Sequence, residues 1–178
     1  MTALYLTIWI ALALFVAGES GRSFARPGAR PPGWAWWAFT TGALLAIVHT
    51  LQSFHLVHHW SHADAVRATA EQTRALYGID AGWGIYVNYA FLVVWLADAW
   101  WWRTNPAAMR RPAVTWTLRG FYLLIIFNGA IVFAAGLRKI LGLLIVSWLV
   151  RVWSVNDTRT PPATVASGPI AAPSSRPR

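Results

Sequence analysis

The sequence predicts an all-α fold, a polytopic transmembrane helix bundle. Three observations point there. Hydrophobic residues make up 57% of the chain and charged residues only 12%, where a soluble domain carries about a quarter charged. The mean hydropathy is +0.44, and the apolar residues gather into runs long enough to cross a hydrocarbon core of about 30 Å. Most of the 13 Trp lie near the ends of those runs, as aromatic belts at a membrane–water interface do. Five spans are expected, at about 2–18, 34–57, 83–102, 113–135 and 140–153, in one transmembrane domain over 1–155. Four spans plus an interfacial helix is the alternative.

Thr2 to Gly18 is the first apolar run. It lacks a basic leading segment, and Ala17-Gly18-Glu19-Ser20 is a poor cleavage site. A retained anchor is therefore expected rather than a removed signal peptide. Residues 19–33 carry Arg22, Arg26, Arg30, Pro27, Pro31 and Pro32 and read as a loop. The run over 34–57 would make a helix of about 36 Å and opens with Trp34, Trp36 and Trp37 at the interface. Residues 58–82 are polar and Ala-rich. Ser61-x-x-Asp64 resembles a capping box, which places a helix start at Ser61, and Gly78 is a stop signal. The spacing leaves open whether this outward segment continues the second span or bends onto the surface.

The third run, 83–102, ends in Trp100-Trp101-Trp102, with Asp98 near this end and Arg103 as its nearest basic partner. Residues 103–112 form a basic loop. The apolar core of the fourth run, 113–135, starts after Arg119. Asn88 and Asn128 are expected to hydrogen-bond between helices. Gly136-Leu137-Arg138-Lys139 reads as a tight turn. The last run, 140–153, is short against the roughly 20 residues that a spanning helix needs, hence the interfacial alternative. The tail 156–178 is rich in Pro, Ser and Ala, and disorder is expected there.

The formal charge of +9 invites a nucleic-acid reading. The placement of the charges argues against it, because the basic residues lie mostly between and after the apolar runs, where orientation signals sit. With five spans, one side receives Arg22, Arg26, Arg30, Arg103, Arg110, Arg111, Arg119, Arg151, Arg159, Arg176 and Arg178. The other receives Arg67, Arg74, Arg138 and Lys139. The excess assigns the first side to the cytoplasm of a bacterial inner (plasma) membrane, with the N-terminus outside and the tail inside. The expected partner is the lipid bilayer, with a second copy of the chain or another membrane subunit as further candidates. The absence of Cys removes disulfides, zinc–thiolate sites, iron–sulfur clusters and c-type haem attachment.

All 5 His fall between His49 and His62. On a continuous helix, His55, His58, His59 and His62 share an arc of roughly 100°, and His55/His59 and His58/His62 are i,i+4 pairs. That spacing lets two imidazoles reach one metal ion. The four are the candidate ligands of a divalent transition metal, with haem b as a lesser cofactor candidate. His49, Gln52, Asp64 and Glu71 are additional or outer-shell candidates. His49, Gln52 and His55 also form a stepped series that could relay protons.

His55-x-x-His58-His59 resembles the histidine box of membrane di-iron desaturases and hydroxylases. That family carries further boxes and places them on the cytoplasmic side, whereas this sequence has one. The wider pattern of His55-x-x-His58-His59-Trp60-Ser61-His62-Ala63, Gln72-Thr73 and Asn88-Tyr89 resembles a group of small bacterial polytopic membrane proteins with no known activity. The leading reading is a metal- or haem-binding membrane protein, with a small transporter or proton-conducting protein and a structural or assembly subunit as alternatives. No reaction class follows from the residues.

Overall fold

The computed structural model describes residues 2–25, 30–105 and 111–157. Among them the chain is all-helical. The helices are α1 (Thr2–Ser23), α2 (Gly33–Leu56), α3 (His62–Tyr77), α4 (Gly84–Thr104), α5 (Pro112–Phe127) and α6 (Leu137–Asp157). A π-helical turn, Asn128–Val132, continues α5. Three segments, Ala3–Ser23, Gly33–Leu56 and Pro112–Val132, are long and apolar enough to cross a membrane. The tail from 158 on, for which composition predicts disorder, lies outside the described residues.

Several expected boundaries shift. The first helix does not stop at Gly18 but runs to Ser23. Glu19 and Arg22, assigned to a loop by their charge, are paired inside the bundle, so the helix has no reason to leave it there. The fourth apolar run, α5, ends its regular α turns at Phe127, and the π turn closes at Val132 rather than Ala135. The last helix is not a 14-residue piece. It starts immediately after Gly136, whose φ of 59° makes the turn, and it takes Leu137, Arg138 and Lys139 into its first turn to reach 21 residues.

α1 and α2 form the most extensive helix pair. Glycine makes their close approach possible, as small residues do between membrane helices. A Cβ added to Gly18 would lie 2.7 Å from the Phe39 Cβ, and one added to Gly42 would lie 2.9 Å from the Ala11 carbonyl. At the centre of the bundle, four helices each contribute one fully buried ring: Phe15 from α1, Phe39 from α2, Trp95 from α4 and Tyr122 from α5. Phe15 meets Trp95 edge-on at 5.0 Å and Tyr122 at 5.0 Å, and Phe39 meets Trp95 at 5.7 Å. Edge-to-face contacts of this kind add to the dispersion gained by burial. This aromatic layer separates two polar regions at opposite ends of the bundle.

Candidate functional site

The first polar region is the histidine stretch. The expectation that His55, His58, His59 and His62 share one helix face is overturned, because α2 stops at Leu56 and α3 begins only at His62. His58 N–H donates back to the Ser53 carbonyl at 3.2 Å, Trp60 N–H to the Phe54 carbonyl at 2.9 Å, and Ser61 N–H to the His58 carbonyl at 2.7 Å. These bonds close the turn because His59 and Trp60 both adopt left-handed backbone, with φ of 47° and 63°. Each such residue costs an L-amino acid about 1–2 kcal/mol, and strain of this kind clusters at functional sites. Ser61 then caps α3 by accepting from the Asp64 N–H at 3.2 Å. Gly78 ends that helix in the left-handed conformation, φ 71°.

The imidazoles consequently go separate ways. His55 accepts a hydrogen bond from Trp60 Nε1 at 3.3 Å. The His58 ring rests against Phe54 at 5.8 Å, and His59 is exposed. His62 lies between two phenols of α4, with Nδ1 3.2 Å from Tyr89 Oη and Nε2 3.2 Å from Tyr86 Oη. His49 turns toward α1 and donates from Nδ1 to the Leu4 carbonyl at 2.9 Å. Thr7 Oγ1 lies 3.5 Å from that nitrogen and donates to Gln52 Oε1 at 2.9 Å. Thr7 therefore joins His49 to Gln52, but among the described residues no hydrogen bond carries the series on to His55. The Asp64 carboxylate accepts from Arg67 at 3.0 Å instead of reaching an imidazole, and Glu71 is exposed. Among the described residues no group of three or more His, Asp or Glu side chains is placed to hold a metal ion.

The second polar region was not legible as a unit in the sequence. It lies at the other end of the bundle, where α1, α4, α5 and α6 converge. Arg22 Nη1 reaches Glu19 Oε1 at 3.0 Å and both oxygens of Asp98 at 3.2 and 3.1 Å. Asp98 also accepts from the Tyr122 hydroxyl at 2.9 Å, and Glu19 Oε2 accepts from Trp153 Nε1 at 2.9 Å. The Arg22 guanidinium stacks over Trp102 at 4.9 Å, and that of Arg119 lies over Trp153 at 5.5 Å. Only 2% of Glu19 and 1% of Asp98 remain exposed. Asp98 thus does not pair with Arg103, which stacks on Trp36 at 4.8 Å. Glu19, Arg22, Asp98, Arg119 and Tyr122 line a cavity of about 10 Å³ together with Thr115 and Leu118, room for roughly one water molecule.

Burying charge is tolerated when opposite charges and hydrogen bonds compensate it. Here two carboxylates face two guanidiniums, so the cluster is formally neutral. The sequence carried one signal of it, the i,i+3 spacing of Glu19 and Arg22, which becomes visible only if α1 is extended past its apolar run.

No protein-family model, no curated protein and no solved structure matches the chain.

Proposed function

We propose that this chain is a small proton-handling membrane transporter whose titrating centre is the Glu19–Arg22–Asp98–Tyr122 cluster. One observation carries the reading: two carboxylates from different helices share a single guanidinium inside the bundle. Ionisable side chains at membrane depth are functional candidates by default, with proton relays among their commonest roles. Arg22 can satisfy one carboxylate while the other takes up a proton, and the water-sized cavity beside them gives that proton a route. At the opposite end, His49, Thr7 and Gln52 supply a second polar station, with the aromatic layer between the two acting as the barrier that an alternating mechanism needs.

In this reading all five long helices cross a bacterial inner membrane, with the N-terminus and the histidine turn outside and the charge cluster toward the cytoplasm. The distribution of basic residues supports that orientation. α4 and α6 each have 21 residues, about 32 Å of helix, which suffices for the hydrocarbon core. The test is proton flux into dye-loaded liposomes under an imposed potential. Wild-type protein should exceed empty liposomes, Asp98→Asn should fall to the empty level, and His59→Ala should keep full flux. Equal flux from wild type and empty liposomes overturns the reading.

A divalent transition metal at the outer turn is a second reading, favoured by one observation. His58 and His59 are consecutive residues at a strained turn, and neither imidazole makes a side-chain hydrogen bond among the described residues. His55 and His62, or a second copy of the chain, would complete the set. Elemental analysis and a visible spectrum of the purified protein, with His55→Ala/His59→Ala as the comparison, decide it. A full metal complement in the double variant, or none in wild type, removes it.

A further inference from the structure

Beside the charge cluster, the ends of α1 and α6 form a groove of about 360 Å³ lined by Phe24, Trp148, Arg151, Val152 and Val155. This volume falls within the range of small-molecule and cofactor sites, about 300–1,000 Å³. Val152 is its buried floor, whereas Phe24 and Trp148 leave 51% and 46% of their surface open. Trp148 is not loose. Its Nε1 donates to Ser20 Oγ at 2.9 Å, which ties α6 to α1 along one wall. Arg151 is the one charged side chain on the lining, is exposed, and makes no ion pair among the described residues.

We propose that this groove holds an acyl chain of an anionic phospholipid from the surrounding bilayer, with the Arg151 guanidinium on its phosphate. The apolar walls and the single cation at the helix ends match an amphiphile with one negative head. Guanidinium binds phosphate through two parallel N–H···O bonds, and an anionic headgroup is favoured over a zwitterionic one, whose own ammonium offsets the phosphate charge. A second copy of the chain fits less well. A two-fold interface over the groove would bring the two Arg151 residues toward each other, and an isologous contact offers no carboxylate from the lining to separate them. The proposal is independent of proton handling and needs only that the helices lie in a bilayer.

Native mass spectrometry of the detergent-solubilised protein, titrated with phosphatidylglycerol or phosphatidylcholine of identical chains, tests it. Wild type should bind phosphatidylglycerol more tightly. Arg151→Gln should weaken that binding about fivefold, the effect of one basic side chain at an anionic membrane surface, and weaken phosphatidylcholine binding less. Arg151 is exposed, so an unchanged melting curve confirms that this variant folds. Val155→Trp, which fills the groove, should weaken both lipids. Equal phosphatidylglycerol binding in wild type and Arg151→Gln, or undiminished binding of both lipids to Val155→Trp, overturns the proposal. Oleate bound as tightly as phosphatidylglycerol overturns the phospholipid assignment in favour of a free fatty acid.

Discussion

The two polar regions of this bundle solve the same problem in opposite ways. At one end, five histidines lie within fourteen consecutive residues, mostly exposed, and four of them are held by one or two neighbours. At the other, the members of the charge cluster come from four helices, are buried except for the part-buried Arg22, and hold each other. The Trp153–Glu19 bond joins residues 134 apart in the chain, and Arg22–Asp98 joins residues 76 apart. Water can replace most partners at the histidine end and almost none at the charged end. Loss of a side chain should therefore be cheap at the first and costly at the second.

The largest expected effect breaks the comparison most directly. Asp98→Ala removes one of the two carboxylates that Arg22 holds and strands the Tyr122 hydroxyl in the core. Removing one partner of a buried pair costs about 3–5 kcal/mol. Tyr122→Phe removes one hydrogen bond and should cost about 1–3 kcal/mol, because Asp98 Oδ2 is left undersatisfied. His59→Ala, at an exposed side chain, should stay within about 0.5 kcal/mol. Denaturant unfolding in detergent measures all three. Similar losses for Asp98→Ala and His59→Ala would show that the charge cluster is wetter than its geometry, and the contrast between the ends would collapse.

This contrast also explains what the sequence could and could not reveal. Helical runs are legible because apolar length and Trp placement follow directly from the bilayer. The α3 helix was legible from Ser61, Asp64 and Gly78, since capping is a local affair. The histidines are adjacent in sequence, but adjacency gives a common face only on an unbroken helix. Two consecutive left-handed residues, His59 and Trp60, break the helix; His adopts that backbone more readily than most residue types, but Trp does not announce it, and nothing in the sequence pairs the two. The charge cluster failed to show for the converse reason. Glu19 and Arg22 look like loop residues until Asp98, from a helix 76 positions on, is packed against them.

A smaller effect, of opposite sign, sharpens the view that the histidine turn is strained. At φ 47° His59 carries a penalty that glycine does not. His59→Gly should then stabilise the protein by up to about 1 kcal/mol, after the greater entropy of glycine in the unfolded chain is set against the relief. A shift of the melting midpoint of a few degrees upward is the expected reading. A drop instead would mean that the His59 side chain makes a stabilising contact, and a metal or partner bound at the turn would become the better explanation of its backbone.

The smallest effect concerns His62. A neutral imidazole has one N–H and one bare nitrogen, and both of its nitrogens face phenols, Tyr89 at Nδ1 and Tyr86 at Nε2. One phenol must then donate while the other accepts, so the ring fixes a direction across the two tyrosines. Because this site is exposed, water can substitute for either hydroxyl, and Tyr86→Phe/Tyr89→Phe should change global stability by less than about 0.5 kcal/mol. Local order is a different matter. His62 is the first residue of α3, whose far end is held by Thr73 Oγ1 accepting from the Ala81 N–H at 3.0 Å and by Tyr77 donating to Asn128 at 2.7 Å. Removing both phenol hydroxyls frees only the near end. Amide hydrogen exchange should therefore rise in the first turn of α3, around 62–66, and stay unchanged near Thr73 and Tyr77. Uniform exchange along α3 in the double variant would show that the helix docks as one unit and that the His62 clamp does not set its position.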